Sequence, residues 1–217
     1  MFFMRVIFIM IISMILLSCQ KKKIIDKKYP VYIISEKFRE YEVSKENYKK
    51  GNNDSITIVQ PLLPKYLYGT DNFILDKESN VFYYQQKDEF IRAMCGTGME
   101  EEMEKDSIPI FKNLTPEIII QIPLNSIEDF LKLNFRKGKR NLVKIASQKD
   151  TLNSNAYYKL VEALDKCLNF KNDNDVWVIY PSTQEEDTVL FYKKIDKEYN
   201  SQKIKWDLKR IKFLKNN

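Results

Sequence analysis

The residue types that usually carry enzyme chemistry are sparse in this chain. Its 217 residues include no His, three Cys and five Gly. Without an imidazole, Ser-His-Asp and Cys-His activation of a nucleophile are excluded, and so are His-ligated metal sites. The glycines lack the spacing of a phosphate-binding loop, and we therefore predict no cofactor. Carboxylate chemistry remains, either as an acid/base pair that cleaves glycosidic bonds or as an oxygen-ligand cation site.

Acidic residues cluster at three places along the chain. The run 100–106 lacks the alternate-residue spacing of a calcium loop, which favours a solvated helix face over a cation site. The acidic pair within 173–175 precedes an apolar strand and indicates a turn. The three acidic residues at 185–187 fall in the first turn of a predicted helix, where attraction to the helix dipole is sufficient to explain them. We therefore predict no metal site and assign no catalytic residue.

Two cysteines, Cys95 and Cys167, lie far from the N-terminus. In an oxidising compartment they could form a disulfide that closes a loop of about 70 residues and stabilises the fold by about 4 kcal/mol. The alternative is a pair of buried thiols, and the sequence leaves both interpretations open. Neither has a His partner, so neither is predicted to be a nucleophile.

A group of aromatic residues surrounds one predicted hairpin. On a strand pair, alternate side chains face opposite sides, and exposed Tyr clusters are typical of surfaces that contact proteins or glycans. The two interpretations are a binding surface and a sheet that is buried on both sides. The residues concerned are Tyr66, Tyr68, Phe73, Phe82, Tyr83 and Tyr84.

The first nineteen residues have the layout of an export signal. Arg5 precedes the apolar run Val6–Leu17, which is too short to span a bilayer. The run leads into Ser18 and Cys19. The ending Leu-Leu-Ser-Cys resembles the lipobox of bacterial lipoproteins, and this resemblance covers residues 1 to about 20. It implies cleavage before Cys19 and lipidation of the Cys19 thiol, whereas the alternative is an uncleaved membrane anchor.

The residues after Cys19 indicate where in the cell envelope the lipidated chain would be anchored. Position 20 is Gln rather than Asp, and three lysines follow at 21–23. By resemblance to lipoproteins, the lack of Asp implies the outer membrane of a Gram-negative cell. Basic rather than acidic residues favour its periplasmic face over the cell surface. The predicted partners are therefore the membrane, through the N-terminal lipid, and an unidentified protein.

The net charge of +6 is concentrated near the N-terminus. Arg5 and five lysines within 20–28 supply most of it, and the rest of the chain is nearly neutral. A nucleic-acid-binding domain needs positive charge on its folded surface, so we predict no nucleic-acid partner. The lysines of 20–28 would lie beside the lipid, close to anionic headgroups.

The middle of the chain predicts strands. Residues 30–35 and 55–60 have strand-like patterns, and 90–94 is a third candidate. The clearest prediction is a hairpin in which 72–75 and 81–85 flank a polar turn.

From residue 117 onward the pattern alternates. Apolar strands are predicted at 117–122, 142–146 and 176–180, with a last strand at 204–208. Three helices are predicted between them, one after a cap at Ser126, one over 155–168, and one opened by a capping box at 183–186. The order is β-α-β-α-β-α-β.

These patterns predict an α+β fold with antiparallel strands in its N-terminal part. The predicted organisation is a signal peptide (1–18), a lipidated Cys with a Lys-rich tether (19–28), and one globular domain (29–217). Two lobes meeting near 95–115 are an alternative for that domain.

The sequence ranks three functions. The first is a lipid-anchored, non-catalytic periplasmic module that binds an envelope protein, or that neutralises a toxin as an immunity protein does. The second is a carboxylate-dependent hydrolase of envelope polysaccharide. The third is a purely structural lipoprotein.

Overall fold

The computed structural model describes residues 29–49, 71–86, 108–135, 142–168 and 176–213. All helices and strands below belong to one unit, Val31–Asn217. The predicted α+β class is confirmed, because helices accompany a two-stranded antiparallel sheet and a mixed five-stranded sheet. The predicted signal peptide and tether, with Cys19, lie outside the described residues, and so do the strands predicted at 55–60 and 90–94.

A short strand and a long helix come first. Strand β1 (Tyr32–Ile33) pairs antiparallel with β6 (Thr151–Leu152), and helix α1 (Ile34–Lys49) starts directly after β1. The strand predicted at 30–35 is therefore only two residues long, and α1 was not predicted. Of the α1 side chains whose burial is described, Ile34 alone is fully buried. Phe38 and Tyr41 follow Ile34 at helical spacing and are half-buried, whereas the other α1 side chains of described burial are exposed. The helix was missed because Ile34 was assigned to the strand predicted at 30–35.

The predicted hairpin is confirmed. Strands β2 (Asp71–Leu75) and β3 (Val81–Gln85) pair antiparallel across the turn 76–80. The Asp76 carboxylate closes this turn by accepting the backbone N–H of Asn80 at 2.7 Å. A polar turn between two β-branched and aromatic runs thus forms the structure that its pattern predicts.

The main sheet has the strand order β4-β3-β2-β5-β7. Strand β4 (Ile120–Ile122) is antiparallel to β3. Strand β5 (Leu142–Ser147) runs parallel to β2, and β7 (Val176–Pro181) runs parallel to β5. The strand predicted at 117–122 forms only in its last three residues, because 116–118 are a turn.

Three predicted helices cover the sheet. Helices α2 (Ile127–Asn134) and α3 (Asn155–Cys167) pack on each other, and Phe130 of α2 contacts Tyr83 with ring centroids 4.8 Å apart. Helix α4 (Gln184–Ile195) lies on the opposite face, where it completes an apolar core. The sheet is therefore covered on both sides. The members of the α4-side core are Ile74, Phe82, Tyr84, Leu114, Ile119, Ala146, Val189 and Leu190.

The predicted N-terminal cap hydrogen bonds form at the start of one helix and not at the start of another. The predicted capping box of α4 is present: Thr183 Oγ1 accepts the N–H of Glu186, and the Glu186 carboxylate accepts the N–H of Thr183. Ser126 is the N-cap residue of α2, as predicted, but its side chain accepts no hydrogen bond from the helix.

The last predicted strand is also wrong. Residues 204–208 form no strand, and a short 3-10 helix at Ser201–Lys203 stands just before them. In this part of the described chain a single β-bridge joins Ile110 to Lys212. Alternating apolar residues can form a strand only beside a partner strand, and none of the strands in the described parts of the chain pairs with 204–208.

Candidate functional site

Three polar side chains lie side by side across the centre of the sheet. In the strand register, Asn72 of β2 is opposite Tyr84 of β3 on one side and Lys144 of β5 on the other. Residues opposite each other in neighbouring strands share a face, and here it is the face that α4 covers. Asn72 and Tyr84 are fully buried, and Lys144 is 3% exposed. Polar groups so deeply buried require partners on the covering elements.

Glu186, in the first turn of α4, is the central partner. Its Oε1 accepts the Tyr84 hydroxyl at 2.7 Å and the Lys144 ammonium at 3.3 Å. The other oxygen accepts the Thr183 N–H at 2.8 Å. Burial by itself would raise the pKa of Glu186, but Lys144 and then Lys112 outweigh it and lower this pKa to about 2. Glu186 is therefore a buried carboxylate that stays ionised.

Glu185, the neighbouring residue, holds a different part of the chain. Its two carboxylate oxygens accept the backbone N–H groups of Lys112 and Leu114, each at 2.7 Å. Burial raises the pKa of Glu185, while these two N–H donors counteract the shift. The expectation that the helix dipole is sufficient to explain residues 185–187 is thus wrong for both glutamates, because both side chains point into the core.

Lys112 places a second amine next to Lys144. Its Nζ donates to the Tyr84 hydroxyl at 3.1 Å and lies 5.5 Å from the centre of the Tyr84 ring. Burial, reinforced by the positive charge of Lys144, lowers the pKa of Lys112 to about 7. Burial and the charge of Glu186 raise the pKa of the Tyr84 hydroxyl well above its ordinary value, so Tyr84 stays protonated.

These groups form one network, in which Lys112 is half-buried and the other four residues are buried. We call it the polar cluster: Tyr84, Lys112, Lys144, Glu185 and Glu186. It contains proton donors and acceptors with opposite pKa shifts, as many active sites do. However, Glu185 is 1% exposed and Glu186 is 0% exposed, and their oxygens already accept hydrogen bonds. The arrangement is well suited to holding elements together and leaves these carboxylates no open face towards a solute.

A second polar group lies at the hairpin turn. Lys194, in the last turn of α4, reaches the Asp76 carboxylate at 2.7 Å and also pairs with Glu78. Burial would raise the pKa of Asp76, but Lys194 and Asn80 outweigh it and lower this pKa. A groove of about 420 Å³ opens beside this group. Among the described residues it is lined by Glu78, Asn80, Phe82, Gln121, Lys193 and Lys194.

Strand β4 borders this groove and is the end strand of the sheet among the described strands. Ile118 and Ile120 are 46% and 44% exposed. The end strand of a sheet presents backbone N–H and C=O groups to which another chain can add. This part of the surface combines the end strand among the described strands, two exposed apolar side chains and a polar groove.

The predicted aromatic surface is not formed by the described members of that group. Phe73 and Tyr84 are 0% exposed, Phe82 is 3% exposed and Tyr83 is 8% exposed. They are buried because helices cover both faces of the sheet, so the alternative of a sheet buried on both sides holds for these four residues. Tyr66 and Tyr68 lie outside the described residues.

Cys167, at the end of α3, carries a free thiol in the structure. Burial, with the nearby Glu128 carboxylate, raises the pKa of this thiol and keeps it protonated near neutral pH. Cys95 lies outside the described residues, so the bridge between the two stays a prediction. The acidic run 100–106 and the turn predicted at 173–175 also lie outside them.

Within the described parts of the chain, no three His, Cys, Asp or Glu residues are grouped so that they could hold a metal ion. None of the helices described there is long and apolar enough to cross a membrane.

Sequence reasoning missed the polar cluster, although one signal for it was present. Lys144 interrupts the apolar strand Leu142–Ser147, and a charged residue within a buried strand requires a partner. The partners come from β3, α4 and the segment before β4, which the sequence does not reveal as neighbours.

The fold and the polar cluster are the basis for inferring the function of this chain, because the comparisons with known proteins found no match. No protein-family model matches the chain, and neither a curated protein nor a solved structure is significantly similar to it.

Proposed function

We propose that this protein is a lipid-anchored lipoprotein of the bacterial envelope whose folded part binds another protein without catalysing a reaction. The observation that carries the anchoring is the apolar run that ends in Leu-Leu-Ser-Cys19. An acylated Cys19 would fix the chain to the outer membrane, and the lysines of 20–28 would add attraction to anionic lipid headgroups. The folded part would then face the periplasm.

The buried state of the polar cluster supports binding over catalysis. A glycosidase needs two carboxyl groups that face each other across a substrate groove. Glu185 and Glu186 instead point into the core, where backbone N–H groups, Tyr84 and Lys144 occupy their oxygens. In the described chain, the groove beside β4 is lined by one carboxylate, that of Glu78.

The surface at β4 is our proposed contact site, in place of the aromatic cluster. A partner segment in an extended conformation would pair with the outer edge of β4 and cover Ile118 and Ile120. Lys193 and Gln121, which line the adjacent groove, would give that segment polar contacts. This mode of binding uses backbone hydrogen bonds for affinity and the two apolar side chains for specificity.

Anchoring is tested by metabolic labelling with a fatty acid. The wild-type chain should carry the label and co-sediment with membranes, and Cys19→Ser should remove the label. Cys167→Ser serves as the matched control and should keep it. Labelling that persists in Cys19→Ser would remove the lipoprotein assignment.

Binding is tested by cross-linking and affinity capture from the native envelope. The variant Ile118→Ser/Ile120→Ser should lose the captured partner. The control variant Leu133→Ser/Leu208→Ser changes two residues that are 85% and 70% exposed elsewhere on the surface, and it should retain the partner. Equal capture by both variants would show that β4 is not the contact site.

The second candidate function is a carboxylate-dependent hydrolase of envelope polysaccharide. The observation in its favour is the adjacent pair Glu185 and Glu186, whose pKa values are raised and lowered respectively. Release of soluble fragments from purified envelope polysaccharide, with loss of that release in Glu185→Gln, would favour this candidate over the binding module.

A further inference from the structure

A short segment near the end of the described chain carries an excess of positive charge. Residues 201–213 include five basic residues and one acidic residue. The same segment exposes apolar area, since Leu208 is 70% exposed and Phe213 is 41% exposed. Six exposed residues of this stretch, four of them basic and two apolar, are together called the basic segment. They are Lys203, Lys205, Leu208, Lys209, Arg210 and Phe213.

Contacts that use no charged amine hold this part of the chain on the fold. The Ile211 side chain is 1% exposed, and the Trp206 ring packs against Phe111 with ring centroids 5.1 Å apart. The Asp207 carboxylate accepts the backbone N–H of Lys209 at 3.0 Å and so closes a turn. Apolar packing and backbone hydrogen bonds therefore order the segment, and its basic side chains remain on the surface.

The carboxylates of the described chain do not neutralise the four basic side chains. Asp207, the one acidic residue of this stretch, directs its carboxylate to a backbone N–H. None of the ion pairs found among the described residues includes Lys203, Lys205, Lys209 or Arg210. Four basic groups within eight positions of the chain therefore give this surface a positive potential, which attracts anions.

The exposed apolar side chains indicate what kind of anionic partner fits. Leu208 directly precedes Lys209 and Arg210 in the chain. An acidic polysaccharide offers charge to the basic groups but little that covers an aliphatic side chain. A phospholipid surface offers both, because its phosphates attract basic side chains and the boundary with its acyl chains accepts apolar ones. The combination of charge and exposed apolar area therefore favours a membrane surface.

We propose that the basic segment lies on the anionic membrane surface to which the chain is anchored, so that the folded part is in direct contact with the lipid. This inference rests on the anchoring through Cys19 in the proposed function. The ten positions 20–29 can span at most about 35 Å, so an anchored domain stays close to the headgroups. An attraction that is weak in free solution then acts at a high local concentration of lipid.

The membrane contact and the proposed protein contact use different parts of the surface. Segment 109–114 pairs with Lys212 and is bound by Glu185 in the first turn of α4. The groove beside β4 is lined instead by Lys193 and Lys194, in the last turn of this helix. These two turns are about 13 Å apart along the helix axis. The chain can therefore contact lipid through one end of α4 and a partner protein near the other.

The test is acetylation of lysines in the full-length protein, purified from its own membrane and reconstituted in vesicles. One set of vesicles contains phosphatidylethanolamine and phosphatidylglycerol, and the other contains phosphatidylcholine alone. Acetylation of Lys203, Lys205 and Lys209 should be about fivefold slower on the anionic vesicles, the factor by which one basic group favours an anionic surface. High salt should remove this protection. Lys159, an exposed lysine of α3, is the internal reference and should react equally on both.

Flotation of the vesicles separates this inference from the anchoring on which it rests. The fraction of protein that floats reports the anchor, and acetylation within the floated fraction reports the basic segment. Protein that floats but is acetylated equally on both kinds of vesicle overturns the inference and leaves the anchoring intact. Protein that floats with neither overturns both.

Charge reversal locates the contact, with Lys203 as the reporter. Lys205→Glu/Lys209→Glu should restore acetylation of Lys203 to its value on phosphatidylcholine. Lys149→Glu/Lys159→Glu changes two other exposed lysines and the net charge equally, and it should leave Lys203 protected. Equal effects of the two double variants overturn the inference. Protection of Lys203 in the native envelope, with none on anionic vesicles, also overturns it and identifies an acidic envelope macromolecule as the partner.

Discussion

The buried pair of Lys144 and Glu186 allows a sharp test of what stabilises this fold. Their side chains are 3% and 0% exposed, and the Nζ–Oε1 distance is 3.3 Å. Lys144→Met keeps the volume of the side chain and removes its charge. Glu186 would then remain as a buried carboxylate that has lost its closest cation.

The expected cost follows from the remaining partners. Removal of one member of a buried ion pair typically costs about 3–5 kcal/mol, roughly a third or more of the stability of a small domain. Here Lys112 lies close by, and the loss of Lys144 removes the repulsion that helps to lower its pKa. Lys112 should then protonate and compensate part of the charge. We therefore expect Lys144→Met to lower the free energy of unfolding by about 3 kcal/mol, the lower end of that range.

The double variant Lys144→Met/Glu186→Gln should recover most of this loss. The introduced glutamine side chain can still accept the Tyr84 hydroxyl through its amide oxygen, and it leaves no buried carboxylate that has lost its cation. We expect the free energy of unfolding of this variant to lie within about 1 kcal/mol of the wild type. The exposed pair Lys132–Glu128, 58% and 42% exposed, supplies the control Lys132→Met, which should cost less than about 0.5 kcal/mol.

The assay is urea denaturation of the full-length protein in detergent at pH 7, with the midpoint and the slope fitted for each variant. If the double variant is as unstable as the sum of the two single variants, the two side chains are not energetically coupled and the reasoning is refuted. The same conclusion follows if Lys144→Met and Lys132→Met lose equally little stability.

Four further predictions concern acid stability, the core, a helix cap and a thiol. The pKa of Glu186 is lowered to about 2 in the fold, so its contribution of about 3 kcal/mol to the free energy of unfolding should be complete above pH 4.5 and lost as the pH falls towards 2. When unfolding by urea is measured across this pH range, Glu186→Gln should lack this part of the pH dependence. Phe73→Ala, at a residue that is 0% exposed, should lower the free energy of unfolding by about 3–5 kcal/mol, whereas Phe191→Ala, at a residue 57% exposed, should change it little. Thr183→Ala removes the side-chain cap of α4 and should lower the free energy of unfolding by about 1 kcal/mol in the same assay. Ser126→Ala removes no cap hydrogen bond and should leave this free energy nearly unchanged. Equal losses in the two variants would contradict the difference between the two helix starts. Alkylation of Cys167, counted by mass spectrometry on the unfolded protein, should be the same with and without prior reduction, and a lower count without reductant would instead support a bridge to Cys95.

Local patterns in the sequence determined much of the secondary structure. The hairpin of β2 and β3, strands β5 and β7, and helices α3 and α4 lie where turn residues, apolar runs and helical spacing predict them. The α4 capping box is a contact between residues three positions apart, so it can be predicted without knowledge of the fold. Helix α1 was missed because Ile34 was assigned to the strand predicted at 30–35, although Ile34, Phe38 and Tyr41 stand at helical spacing. The strand predicted at 204–208 failed because none of the described strands pairs with it.

The tertiary structure alone decided which residues form the candidate site. The sequence predicted an aromatic surface around the hairpin, yet Phe73, Phe82, Tyr83 and Tyr84 are buried because helices cover both faces of the sheet. It explained the first-turn glutamates of α4 by the helix dipole, yet Glu186 meets Tyr84 and Lys144, which are 102 and 42 positions away. Helical and strand periods specify which side of an element is apolar. The strand order and the face on which α4 lies specify which polar groups meet, and these depend on contacts between distant segments that no local pattern records.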